Sequence, residues 1–188
     1  MKVIQLHHKN NTTLIKKAAK GKRDAQHTLF EIHAPKMLSI CRYYVKDMQN
    51  AESVMLNGFF KAFTNLKNFK NEGSFEGWLR RIMVRESISF LRQQKHIEFS
   101  VEDEPFTQEQ YNNVESQIEV AQIQQIIDEL PEGYKMVFVM YAIEGYKHYE
   151  IAEILNISQG TSKSQLFKAR QMLQKKIKDI NTTSYGTN

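Results

Sequence analysis

Residues 149–178, YEIAEILNISQGTSKSQLFKARQMLQKKIK, carry the sharpest structural signal in the chain. Tyr149 to Leu155 has the spacing of a short amphipathic helix, and Asn156-Ile157-Ser158 is compact enough for a tight turn. Ser158 is placed to cap a second, longer helix running from about Gln159 to Lys178. At 100° per residue, Ser162, Leu166, Ala169, Leu173 and Ile177 fall on one side of that helix. Lys163, Ser164, Phe167, Lys168 and Gln171 fall on the other. Two cations, a hydroxyl, an amide and a lone aromatic are the groups that read base edges and thymine methyls in a major groove. The plain alternative is a solvated charged face, which leaves the short helix, the tight turn and an exposed Phe167 without a reason.

The rest of the chain also reads as helical. Residues 13–20 form a short helix ending at Gly21, and Leu29, Ile32, His33, Met37, Ile40, Cys41 and Tyr44 keep helical spacing with a break or kink expected near Pro35. Ala51 to Leu66 carries Val54, Met55, Phe59 and Phe63 at the same spacing. From residue 96 to 117 the composition changes: acidic residues including Glu102, Asp103 and Glu104 appear around Pro105 without a Lys or Arg, as in a linker. Helical spacing returns at Val120, Ile123, Ile126, Ile127 and Leu130, and Pro131 opens a helix running to Ile143 before a turn at Glu144-Gly145. The expectation is an all-α protein of two small helical domains, residues 10–95 and 118–180, joined by a flexible acidic linker over 96–117.

A second basic helix precedes that linker. Leu79, Ile82, Met83 and Phe90 form one apolar face, Val84, Ile88 and Leu91 another, and Arg81, Arg85 and Arg92 stack between them. The stripe suits phosphate contact, with structural ion pairs as the alternative. Before it, Lys70-Asn71-Glu72-Gly73-Ser74 lies among Phe69, Phe75 and Trp78, a composition suited to holding an unstacked base, unless those aromatics are core.

Bulk properties agree with this. The 188 residues carry a formal net charge of +5, which suits a polyanion partner. A single cysteine, Cys41, excludes an internal disulfide and reads as a small core residue. The N-terminus lacks the apolar stretch of a signal peptide and no run is long enough to span a bilayer, so a cytoplasmic protein with no membrane insertion is expected. The six histidines form no metal-ligand spacing with acids or Cys41, and there is no Gly-rich phosphate loop. Neither a catalytic residue, a metal nor a cofactor is therefore expected.

In the order and spacing of its motifs the chain resembles the extracytoplasmic-function (group 4) sigma factors of the sigma-70 family. Gly73-Ser74-Phe75-Glu76-Gly77-Trp78-Leu79-Arg80-Arg81-Ile82 with Phe90-Leu91-Arg92 resembles the DNA-melting helix of region 2. Leu130-Pro131-Glu132, Glu144-Gly145-Tyr146, Glu150-Ile151-Ala152-Glu153 and residues 160–170 resemble region 4. The resemblance implies a non-enzymatic factor that binds core RNA polymerase and promoter DNA, with an anti-sigma factor as a further partner in many members. It places minus-35 contacts on Thr161, Lys163, Ser164, Gln165, Phe167, Lys168 and Arg170, and minus-10 contacts on Lys70, Asn71, Ser74, Trp78, Arg81, Arg85 and Arg92. Core polymerase contacts fall on Glu52, Asn57, Phe59, Phe60, Lys61 and Phe63. Ser53, Leu56 and Asn57 stand where the family usually has an acidic residue, a glutamine and a glutamate, and Ser162 and Gln165 where it commonly has valine and arginine. A helix-turn-helix regulator acting without polymerase is the competing reading; it would bind its operator alone.

Overall fold

A computed structural model describes residues 12–70, 72–94 and 120–185, with side chains in the last segment from 122 to 180. These residues fall into two compact units, one ending at Gln94 and the other following it. Among the described residues there are helices and turns and no strand. The acidic stretch 96–117 lies outside them.

The first unit opens with α1 (residues 12–19), closed at Gly21, whose φ of 78° is the left-handed conformation that glycine takes without steric cost. α2 (Arg23–Tyr44), α3 (Met48–Thr64) and α4 (Phe75–Gln94) pack against one another, with a 3-10 turn at Leu66–Asn68. Each buries residues three and four apart: Leu29, Met37, Cys41 and Tyr44 from α2, Val54, Phe59 and Ala62 from α3, Leu79, Met83, Val84 and Ile88 from α4. Cys41 is a core residue, as expected. Asp47 caps α3 by accepting from the Asn50 N–H at 2.8 Å. At Gly58 the Met83 thioether fills the space a Cβ would take, so any side chain there would have to displace it.

Pro35 does not break α2, which runs from Arg23 to Tyr44 with the proline inside. The missing N–H leaves the Glu31 carbonyl without its helical donor, and both Glu31 and Pro35 are exposed, so the loss falls on the solvent side of the helix.

His33 is buried in the same helix, its ring edge-on to Phe75 at 5.3 Å. Burial lowers its pKa below the ordinary 6.5; Glu76 opposes that shift and Lys36 adds to it. Between 6.5 and the lowered value the unfolded chain binds more protons, so stability should fall as pH drops through that window and stay level above it. Thermal melts followed by the single tryptophan, Trp78, from about pH 7.5 to about pH 5.5 should show this dependence weakened in His33→Leu. An equal pH slope in the variant would assign the effect to other groups.

The second unit consists of α5 (Val120–Asp128), α6 (Glu132–Phe138), α7 (His148–Leu155) and α8 (Gln159–Tyr185). A wider π turn over Val139–Ile143 prolongs α6, its Glu144 N–H donating to the Val139 carbonyl at 2.9 Å. Met136, Val137, Val139 and Met140 meet Ile151, Leu155, Leu166 and Ala169 in the core. Lys135 is only 1% exposed, an unusual place for an ammonium group. Its Nζ lies 3.5 Å from an Asp128 carboxylate oxygen that also accepts from Gln124 Nε2 at 3.3 Å, so the buried charge is compensated.

Candidate nucleic-acid interface

Two separate constructions on this fold face outward with cations. The first is the pair α7–α8. At the start of α7 the Glu150 carboxylate accepts from the Lys147 N–H at 2.8 Å. Asn156 ends the helix in the left-handed conformation at φ 56°, and the Ile157 N–H closes back on the Ala152 carbonyl at 3.0 Å. Ser158 then caps α8 as its position predicts, its Oγ accepting from the Thr161 N–H at 2.9 Å and bonding Thr161 Oγ1 at 2.9 Å. Ser158→Ala should lower the stability of this unit by about 1 kcal/mol, visible as an earlier helical melt, and Ser158→Asp should restore it. An unchanged melt for the alanine variant would mean that water replaces the cap without loss.

α8 presents Lys163 and Gln171 to solvent, with Thr161, Ser164, Phe167, Lys168 and Arg170 half-buried. Ser164 Oγ donates to the Thr161 carbonyl at 3.0 Å, and the Arg170 guanidinium lies 5.6 Å above the Tyr141 ring. Gln165 is a correction: it is 2% exposed and belongs to the inner face, so it is not a groove-reading residue. Gln165 and Phe167 stand one residue to either side of buried Leu166, and periodicity treats them alike. α8 packs against α6 and α7, and Gln165 is buried where Phe167 is only partly covered. Phe167 is likewise less exposed than its position suggests, with part of its ring covered.

The second construction is the turn before α4. Gly73 has φ 96°, and Ser74 Oγ accepts from the Gly77 N–H at 3.0 Å, so the chain folds tightly into the helix. A cleft of about 310 Å³ opens there, lined by Phe69, Lys70, Ser74, Trp78 and Arg81 among others. The three aromatics divide their work. Phe75 is 5% exposed and joins the core, while half-buried Phe69 and Trp78, centroids 5.4 Å apart, remain as a wall of the cleft. Asn71 lies outside the described residues. Arg81, Arg85 and Arg92 are all exposed, and among the described residues neither Arg81 nor Arg85 is in an ion pair.

α3 has a face of another kind. Phe60 is 73% exposed and Leu56 53%, beside exposed Glu52, Asn57 and Lys61. Lys61 Nζ pairs with Glu86 of α4 at 2.7 Å, next to a groove of about 230 Å³ between Asn57, Phe60, Phe90 and Gln93. Phe59 is a second correction. It is 2% exposed, with Phe30 at 4.8 Å and Phe63 at 5.8 Å, so it supports this face from beneath and offers no contact. Adjacent residues on a helix differ by 100°, and the core took the first of the Phe59-Phe60 pair. Phe63 is half-buried.

The family models agree with the two constructions in order and place: sigma-70 region 2 matches residues 29–97 and sigma-70 region 4 matches residues 121–173. This chain belongs to the sigma-70 family. Its relatives place it in the extracytoplasmic-function group. It is 28% identical to the ECF RNA polymerase sigma factor SigW of Bacillus subtilis, across 88% of this chain and 96% of that one. It is 26% identical to the RNA polymerase sigma-H factor of Pseudomonas aeruginosa, across 89% and 93%, and 27% identical to the ECF sigma-E factor of Escherichia coli K12, across 89% and 94%. Two solved structures share the fold of this sigma factor. CnrH in complex with the cytosolic domain of CnrY gives a TM-score of 0.52 at 20% identity, covering 89% of this chain and 96% of that one. RpoE in complex with the anti-sigma factor NepR from Bartonella quintana gives 0.53 at 18%, covering 79% and 94%.

Sequence reasoning passed over His148. Its Nδ1 lies 2.9 Å from Ser162 Oγ and its ring stacks on Tyr141, centroids 4.6 Å apart at 24°. The available signal was Ser162 itself, a hydroxyl on an otherwise apolar stripe. No helix among the described residues is long and apolar enough to cross a membrane.

Proposed function

We propose that this sigma factor binds core RNA polymerase and directs it to promoters by reading two elements in two states. In this reading residues 118–180 bind a duplex minus-35 element through α8, with Lys163, Ser164, Phe167 and Lys168 toward the major groove and Thr161 and Arg170 at its margin. Residues 10–95 bind the minus-10 element as an opened strand: Arg81, Arg85 and Arg92 contact phosphates, and the cleft at Lys70, Ser74 and Trp78 takes an unstacked base. The exposed face of α3, with Glu52, Asn57, Phe60 and Lys61, meets the polymerase, and residues 96–117 span the two domains. No bond-making step belongs to this chain in that scheme. An anti-sigma factor is a further partner suggested by the family.

The observation that carries the reading is the presence in one chain of two unlike outward-facing cationic constructions, a helix shaped for a groove and an aromatic-walled cleft beside a cationic stripe. A regulator acting without polymerase needs the first and has no use for the second. In vitro transcription with core polymerase on a genomic fragment library should yield new start sites preceded by two shared elements. Tight, sequence-specific binding by the chain alone, with no start sites when core enzyme is present, would favour the stand-alone regulator.

A further inference from the structure

We infer that His148 is a positioning residue for minus-35 specificity, holding α8 at the rotation its outward side chains require; this rests on the proposed reading of α8. Ser162 lies in the first turns of α8, is 0% exposed, and immediately precedes Lys163 and Ser164. A buried hydroxyl needs a partner, and this one has His148 Nδ1 at 2.9 Å. The imidazole is itself fixed. It stacks on Tyr141 of the π turn, and that ring also carries the Arg170 guanidinium of α8 at 5.6 Å. Tyr141 and His148 thus tie the recognition helix to the rest of the unit at Ser162 and, two turns on, at Arg170. Burial, Lys163 and Arg170 all lower the His148 pKa, which keeps the ring neutral beside those cations.

The consequence is geometric. A turn of about 20° about the helix axis carries a side chain at the 5–6 Å radius through about 2 Å. That displacement breaks a base-edge hydrogen bond, whose useful range is a few tenths of an ångström, while a long flexible lysine still reaches a phosphate. Loosening the His148–Ser162 bond therefore erodes discrimination between bases more than it erodes overall activity. General destabilisation of the unit does the opposite, lowering activity on all promoters alike.

The test uses holoenzyme reconstituted with full-length chain, transcribing a promoter set in which each minus-35 base is varied. His148→Ala and Ser162→Ala should each reduce discrimination at the same one or two positions by about tenfold, within the range of one base contact. The double variant should lose no more than either single one. His148→Asn, which puts an amide atom near the place of Nδ1, should regain most of the preference. Equal losses on every promoter with discrimination intact, or a double variant whose loss is the product of the singles, would overturn the proposal. A wild-type holoenzyme with no preference across the set would refute the reading of α8 itself. A discriminating wild type whose variants discriminate equally refutes only the role of His148.

Discussion

Replacing Lys163 and Lys168 together by alanine should abolish most minus-35-dependent transcription by the reconstituted holoenzyme, each lysine accounting for about 1–3 kcal/mol if it reaches a base edge. The two sit five residues apart on α8, Lys163 exposed and Lys168 half-covered, on a helix whose far side is locked into the core by Leu166, Ala169 and Leu173. That rigidity makes the single variants informative. A lysine that donates to guanine O6 or N7 leaves relaxed preference at one position when removed, whereas one that pairs with phosphate weakens all sequences equally and lowers the salt slope by about 0.9. Phe167→Ala should lose discrimination between thymine and uracil at one site, because only the methyl differs. Because the ring is half-buried, that variant should also melt slightly earlier. Transcription on the varied minus-35 set separates these outcomes, and unchanged preference and activity in all three variants would remove α8 from the recognition surface.

Arg81→Ala with Arg85→Ala should impair open-complex formation on every cognate promoter. Both guanidinium groups are exposed on α4, and Arg81 also lines the cleft. Two phosphate contacts to an unpaired strand contribute about 1.4 to the slope of log K against log salt, so the variant should be weak at low salt and less sensitive to added salt. Folding should be untouched, since buried Leu79, Met83, Val84 and Ile88 hold α4 from its other sides. Footprinting of the opened region across a salt series, beside melts read from Trp78 fluorescence, tests both halves. A lowered melting temperature with normal opening would make these arginines structural.

Phe59 and Gln165 occupy contact positions of the family motifs, yet each lies on the covered flank of its helix. Phe59 lies beneath the α3 face beside exposed Phe60, and Gln165 lies on the inner side of α8, two positions before Phe167, which retains exposure. Pro35 shows the converse: α2 continues through a mid-helix proline whose position, like that of Glu31 one turn before it, is exposed.

Periodicity and turn chemistry in the sequence alone determined that the chain is helical. They placed the tight turn at Asn156-Ile157-Ser158 with its Ser158 cap, set Lys163 opposite an apolar face, and set the arginine stripe between two. These are properties of neighbours within four residues, and a helix makes such neighbours adjacent whatever surrounds it. Tertiary structure decided what depends on contact between different elements. It separated Phe75, in the core, from Phe69 and Trp78 around the cleft, compensated buried Lys135 with Asp128, and brought His148 onto Ser162, fourteen positions away. Packing chooses which flank of a helix is covered and which polar groups must pair, and a 3.6-residue period contains neither.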